Sequence, residues 1–246
     1  THSPMFKNLY ILRIAPTWTP SLDEVRANLE KARFTACGKT QDVSLGFIEP
    51  RGEAHAPLVE SIGGQWVLKV LVECKLLPAA VVKEELAKRT EDIQRRTGRK
   101  PGKREMADLK DEVRQELLAK AFTKKTAAFV WIDPKSRLLA IDVSAKAKAD
   151  RIASLLVKSI DGFGLNLINT KLSPAAAMAT WLSEQEAPSP FMINQDCSLK
   201  DTGHSKASVR YAKHPLDIEE VRGHIVGGKQ PTQLSLTWRS RVSFAL

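Results

Sequence analysis

The chain has 246 residues, 43% hydrophobic and 27% charged, the balance of an ordinary folded protein rather than a disordered one. Its 38 Lys and Arg exceed its 28 Asp and Glu, giving a net charge of +10 and a pI of about 9.6, which points to a polyanion or an anionic surface as partner. No apolar run approaches the roughly 18 residues of a membrane span and no signal peptide opens the chain, while Cys37, Cys74 and Cys197 form no C-x-x-C pair and so exclude a zinc ribbon or disulfide framework and fit a reducing cytoplasm.

Thr1-His2-Ser3-Pro4 ahead of Met5 reads as a remnant of expression, with Met5 the expected natural start. Phe6 to Ile14 is rich in apolar residues and predicts a strand. Ser21 and Glu24 have the S-x-x-E spacing of a capping box, followed by Leu22, Val25 and Leu29 at helical spacing. From Gln65 to Lys75 the pattern alternates. Trp66, Leu68, Val70, Val72 and Cys74 fall on one face and Lys69, Glu73 and Lys75 on the other, as in a half-buried strand.

The next region changes character. Pro78 suits the first turn of a helix whose apolar stripe is only Val82, Leu86 and Ile93. Thr97 to Lys103 is a Gly/Pro turn, and a second helix starting near Arg104 shows Met106, Leu109, Val113 and Leu117. Two such narrow stripes suffice to face each other but not to lie flat on a core, so they predict a projecting two-helix finger with arms of about 30 Å. Lys88 to Arg104, at its far end, holds eight basic residues against only Glu91 and Asp92.

Beyond the finger, Ala127 to Asp133 and Leu138 to Val143 predict a hairpin. Ser144 is placed to cap a helix with Ile152, Leu155, Leu156 and Ile160 inward, and Ser173-Pro174 to start one carrying Met178, Trp181 and Leu182. Ala187 to Pro190 is a loop, Val209 and Tyr211 suggest a strand, and Asp217 to Val226 a helix ending at Gly227. Leu234, Leu236, Trp238, Val242, Phe244 and Leu246 keep one period-2 phase. That reads as a single strand still running when the chain stops, so the natural chain is expected to continue. The whole predicts an α+β fold, mixed sheets with packed helices and the finger. The expected body is 5–77 with 126–246, C-terminally truncated, and the finger is 78–125.

Clustered positive charge with few interleaved aromatics favours phosphate contact on a duplex over base stacking on single strands. The expected DNA-binding residues in and around the finger are Arg95, Arg96, Arg99, Lys100, Lys103, Arg104, Lys124 and Lys125, with Arg210 and Lys213 as a second patch. Phe122, beside Lys124-Lys125, suits a core position or, as an aromatic flanked by bases, a partner contact. Glu73-Cys74-Lys75 has the E-x-K form of some Mg²⁺ nucleases, but two polar residues on a strand's wet face explain it as well. Asp133 and Asp142 suit turn and strand-end duties. His55, His204, His214 and His224 lack ligand spacing. No catalytic set, metal site or cofactor is expected.

Met5-Phe6-Lys7-Asn8-Leu9, the run Leu77-Pro78-Ala79-Ala80-Val81-Val82-Lys83, Leu109 to Val113 continuing through Leu117 to Phe122, and Trp131-Ile132-Asp133, in this order, resemble the bacterial recombination-associated protein RdgC family over essentially the whole chain. One departure is Ala119, where the family pattern carries proline. The resemblance implies a non-enzymatic protein that binds duplex DNA without marked sequence preference, forms ring-shaped dimers around it and restrains RecA-dependent recombination. It also implies a chain continuing past residue 246 and a cytoplasmic, nucleoid-associated location. Lys83, Lys110, Lys120 and Phe122 fall in matching stretches, the lysines as DNA contacts and Phe122 as a dimer contact. Two other readings stand beside it: an Mg²⁺-dependent nuclease using Glu73 and Lys75, and an RNA-binding or ribosome-associated protein using the same finger.

Overall fold

A computed structural model describes residues 6–19, 21–203 and 205–246, so Met5 and His204 lie outside it. The chain separates into two compact units, Thr1–Ile168 and Asn169–Leu246, each with its own core. Residues 126–246, read from sequence as part of one body, are thus shared between two sheets.

The first unit contains β1 (Tyr10–Ile14), α1 (Leu22–Lys31), β2 (Val43–Ile48), β3 (Val59–Ile62), β4 (Gln65–Lys75), α2 (Ala79–Thr97), α3 (Lys103–Lys120), β5 (Thr123–Asp133), β6 (Leu138–Ile141), α4 (Lys146–Ser159) and β7 (Leu165–Leu167). Its sheet runs β2-β4-β5-β6-β1-β7, with β3 also on β4, and every ladder between these strands is antiparallel. The alternation read in β4 places Leu68 and Val70 in the core. Val130 and Ile132 of β5 and Leu139 and Ile141 of β6 lie beside them, and Val25, Leu29, Ile152 and Leu156 of α1 and α4 close the face. Trp18 meets Trp66 and Phe163 edge-on, the arrangement that ring quadrupoles favour.

Local signals account for most boundaries. Ser21 Oγ accepts the Glu24 N–H at 3.4 Å, the serine half of the expected capping box. Gly98 ends α2 at φ 72°, a left-handed position that glycine takes without strain. The first strand is shorter than predicted: the Lys7 and Asn8 N–H groups donate to Asp142 Oδ1 at 3.0 and 2.8 Å, so residues 6–9 leave the ladder. Ser144 is not the cap of α4; Ala145 stands there and no side-chain bond forms. Ala119 lies within the last turn of α3, where a helix former lets the helix run on to Lys120.

The second unit holds α5 (Pro174–Glu184), β8 (Phe191–Asp201), β9 (Ser208–Tyr211), α6 (Glu219–Val226), β10 (Lys229–Trp238) and β11 (Val242–Ala245), with sheet order β11-β10-β8-β9. Ser173 Oγ caps α5 on the Ala176 N–H at 3.2 Å, and Met178 and Leu182 pack onto Cys197, Leu199, Leu234 and Leu236. The expected terminal strand is two. Arg239 and Ser240 adopt φ of 47° and 53°, the chain reverses, and Trp238 pairs with Val242. A three-residue turn preserves parity, so a period-2 pattern runs through it unbroken and conceals the reversal.

Gly46 of β2 is a point of close approach. A Cβ there would lie 2.3 Å from Phe34 Cα and 2.6 Å from Phe34 N, because residues 32–34 hydrogen-bond along β2. Gly46→Ala is expected to destabilise the unit by about 1–3 kcal/mol, the cost of overpacking against backbone. A lower urea midpoint would show it, and an unchanged midpoint would refute the close approach.

Candidate nucleic-acid interface

The finger is built as two exposed helices closed by a turn. Val82, Val113 and Leu118 are buried at its root, while Leu86, Ile93, Met106 and Leu109 are half-buried between the helices farther out. At 19 and 18 residues and 1.5 Å per residue, each arm is about 27–29 Å long. Its ends are joined where Lys75 pairs with Thr123 and the Leu76 N–H donates to the Phe122 carbonyl at 2.7 Å. Two charged contacts fasten the root. Lys75 Nζ donates to the Leu118 and Lys39 carbonyls at 2.7 and 2.9 Å, supplying a cation at the carbonyl end of α3. Arg114 pairs with Asp42 at 2.7 Å.

The charge of the finger is divided by geometry. Arg89 forks onto Glu116 of the facing helix and also reaches Glu85. Lys88 pairs with Glu84, Arg95 with Asp92, and Arg99 bidentately with Glu105, whose other duty is to accept the Gly102 N–H at 2.8 Å. These contacts hold the Glu105 carboxyl down at about 2. The balancing acids that the 88–104 stretch seems to lack therefore stand at its edges and across the hairpin. Among the described residues Arg96, Lys100, Lys103 and Arg104 are exposed and make no ion pair. Those four are the cations of the stretch free to meet an external anion.

At the root a cleft of about 450 Å³ lies between the helices and the sheet, lined by Lys75, Lys83, Lys110 and Arg114 above Leu77, Val82 and Leu86. Lys83 and Lys110, expected sites on separate helices, are brought together here. Arg114 was missed, although it stands one helical turn after Lys110 on the same face, and Lys75 was named only as a nuclease candidate with Glu73. Lys120 is exposed at the end of α3. Lys124 and Lys125 are exposed on β5 but point to opposite faces, as neighbours on a strand must, so they do not form one patch. Lys124 instead joins Lys148 and Arg151 of α4 around a cavity of about 150 Å³. Arg210 on β9 and Lys213 in the following turn are both exposed on the second unit. Phe122 is 86% exposed and is no part of the core; Leu76 and Val81 are exposed as well.

The E-x-K pair has a structural explanation, though not on a wet face. Glu73 is 3% exposed; its Oε2 accepts the Cys37 N–H at 2.7 Å and Lys125 Nζ stands 3.8 Å away. Lys75 is engaged with two carbonyls, as above. Among the described residues no group of three or more His, Cys, Asp or Glu side chains gathers as a metal site. Asp133 accepts the Lys135 and Ser136 N–H groups of its turn, and Asp142 those of residues 7 and 8. His214 Nδ1 lies 2.8 Å from the Pro215 carbonyl and His224 Nδ1 3.2 Å from Lys229 Nζ. No helix among the described residues is long and apolar enough to cross a membrane.

Fold and site together define a basic α+β protein that presents cations on a helical hairpin inserted between two paired strands. The family model described as "Putative exonuclease, RdgC" matches residues 5–246. Proteins named recombination-associated protein RdgC are similar over 98% of this chain and 80% of their own length: 39% identical over 244 residues in Dechloromonas aromatica, and 42% over 241 residues in both Cupriavidus pinatubonensis and Bordetella pertussis. The chain belongs to the RdgC family, as its sequence motifs suggested.

A backbone donor makes the buried Glu73 pH-sensitive, outweighing the burial that alone would raise its pKa. The Cys37 N–H, then Thr123 and Lys125, hold its pKa below the ordinary carboxylate value of 4.5. A depressed folded-state pKa contributes stability that is complete above the unfolded value and is lost as pH falls through the folded one. Glu73→Gln is expected to lower the denaturation midpoint at neutral pH and to flatten its fall on acidification. An acid limb as steep as the wild type's would contradict this role.

Proposed function

We propose that this protein binds double-stranded DNA without sequence preference, through phosphate contacts from the finger and its root, and acts by occupying DNA. The observation that carries this reading is the set of exposed cations that make no ion pair among the described residues, Arg96, Lys100, Lys103 and Arg104, continued by Lys83 and Lys110 at the root. Phosphate neutralisation releases condensed counterions and needs no base contact. The relatives' shared name supports placing that DNA in recombination. The family resemblance supports the finer parts: a ring-forming homodimer, restraint of RecA activity, and a cytoplasmic, nucleoid-associated location. The exposed aromatic Phe122, whose carbonyl accepts the N–H of the likewise exposed Leu76, is the proposed anchor of the dimer.

The role is read as non-enzymatic. The family's exonuclease description gives the nuclease reading a specific form, and a gel decides it. Linear duplex DNA incubated with the protein and Mg²⁺ should stay full length; progressive shortening would replace the binding reading with the enzymatic one. Structured RNA competing better than duplex DNA at matched salt would favour the RNA reading.

Replacing Arg96, Lys100, Lys103 and Arg104 together by Ala should weaken duplex binding equally across sequences. It should also flatten the plot of log affinity against log salt by up to about 0.9 per lost phosphate contact. Lys88→Ala, which removes a paired lysine, should change little. An unaltered slope in the fourfold variant would refute the assignment. Phe122→Asp should shift the protein to monomer in sedimentation velocity, and an unchanged mass would remove Phe122 from the interface.

A further inference from the structure

The core face of the β4–β5 ladder is left open at the end where the finger inserts. Cys74 pairs with Lys124 and Val72 with Thr126, so all four lie on the face that carries Leu68, Val70, Val130 and Ile132. Val72 is buried, Cys74 and Thr126 are half-buried, and Leu76, just past the strand, is 52% exposed. Helix α4 sends Ala149, Ile152 and Leu156 into the core. Between its first turns and the end of the ladder remains a cavity of about 150 Å³ lined by Val72, Cys74, Leu76 and Thr126.

The rim of this cavity is positive. It is formed by Lys124 of β5 and by Lys148 and Arg151 of α4. Lys148 and Arg151 are three residues apart and share a helix face, whereas Asp150 stands too near each in sequence to face either. All three cations are exposed and make no ion pair among the described residues, and no carboxylate lines the cavity. Glu73, the neighbour of Cys74, lies on the opposite face of β4 and is engaged with the Cys37 N–H. The cleft at the root of the finger differs in this respect, because Asp42 lines it and Lys75 and Arg114 are already engaged.

An apolar hollow beneath unneutralised cations selects its ligand. A space of this size holds a benzene ring, so it admits one apolar side chain. A duplex offers phosphates to the cations but keeps its bases inside its own stack and has nothing to fill the hollow. An unpaired base finds no ring to stack on, since no aromatic side chain lines the cavity. A peptide with one apolar side chain between carboxylates satisfies both parts. We propose that this cavity docks an acidic segment of a partner protein, which seats one phenylalanine- or leucine-sized side chain against Val72 and Leu76 and lays its carboxylates on Lys124, Lys148 and Arg151. Lys124, expected from sequence as a DNA contact, belongs to this site instead, and the site shares no cation with the finger.

The test is fluorescence anisotropy of the full chain with a labelled, end-blocked peptide of one phenylalanine between two runs of three aspartates. Wild type should bind it at least roughly ten-fold tighter than the same peptide with alanine for phenylalanine, since burial of that side chain contributes at this scale. A peptide with lysine for aspartate should not bind. Lys148→Ala with Arg151→Ala should weaken the aspartate peptide by roughly five-fold or more, the scale of two exposed charge contacts, and leave duplex affinity unchanged. Both positions are exposed and alanine is a strong helix former, so the double variant should keep the wild-type circular dichroism spectrum. Equal binding of the phenylalanine and alanine peptides, or an affinity kept by the double variant, overturns the proposal. A double variant that loses duplex and peptide alike makes these residues part of the DNA surface and overturns it as well. Loss of the peptide in Lys83→Ala with Lys110→Ala, but not in the Lys148 and Arg151 variant, moves it to the root cleft and also refutes the assignment.

Discussion

The antiparallel ladder between Gln65–Lys75 and Thr123–Asp133 is the constraint on which the rest of the first unit depends. It pairs the two longest strands of the sheet in full register, from Trp66 opposite Ile132 to Lys75 opposite Thr123. One side of it supplies Leu68, Val70, Val130 and Ile132 to the core; the other supplies Phe129, Trp131, Lys69 and the buried Glu73. A slip by one residue would exchange these faces, putting Lys69 into the core and Leu68 into water. The ladder also closes the ends of everything inserted between its strands, and what is inserted is the finger.

That insertion explains how a weakly apolar helical pair holds a fixed position. Helices with such thin stripes have little to bury, and only Val82, Val113 and Leu118 at the root are fully enclosed. Order comes from the ladder's last pair, from the Lys75 ammonium on two carbonyls, and from the Arg114–Asp42 contact. Farther out, the Arg89 fork onto Glu116 ties the helices across their middle, and Arg99 with Glu105 closes the turn. Exposed pairs of this kind contribute little stability singly, but they decide which cations are spent internally and which remain for a partner. A charge count cannot make that distinction; the geometry of the hairpin does.

The sequence carried the finger clearly. Stripe width, the Pro78 and Gly98 signals and the clustered charge are local, and the helices formed where they indicated. The alternation of β4 was equally legible, as was the start of α5 at Ser173-Pro174. What escaped detection depends on distant residues. Strands β2 and β3 are short, and β8 lacks clean alternation because its ladder with β10 shifts register. Glu73 reads as a solvated carboxylate in any window of sequence; it is buried because Cys37, far away in the chain, brings an N–H to it. The terminal hairpin was concealed by parity, and the pairing of Arg99 and Arg89 by acids outside the counted stretch. Of the candidate site, Lys83 and Lys110 were named but their meeting in one cleft was not foreseeable without the antiparallel closure of α2 on α3. The aromatic face of the sheet follows from the same pattern that gave the core face, read in the opposite phase.

The central claim is that internally paired and unpaired cations of one basic stretch have different jobs. Lysine acetylation followed by mass spectrometry, with and without duplex DNA, tests it at single residues. The account predicts that DNA protects Lys100 and Lys103 at the turn and Lys83 and Lys110 at the root, and leaves Lys88, bound to Glu84, at its original reactivity. Protection of Lys88 with Lys100 and Lys103 still fully reactive would contradict it.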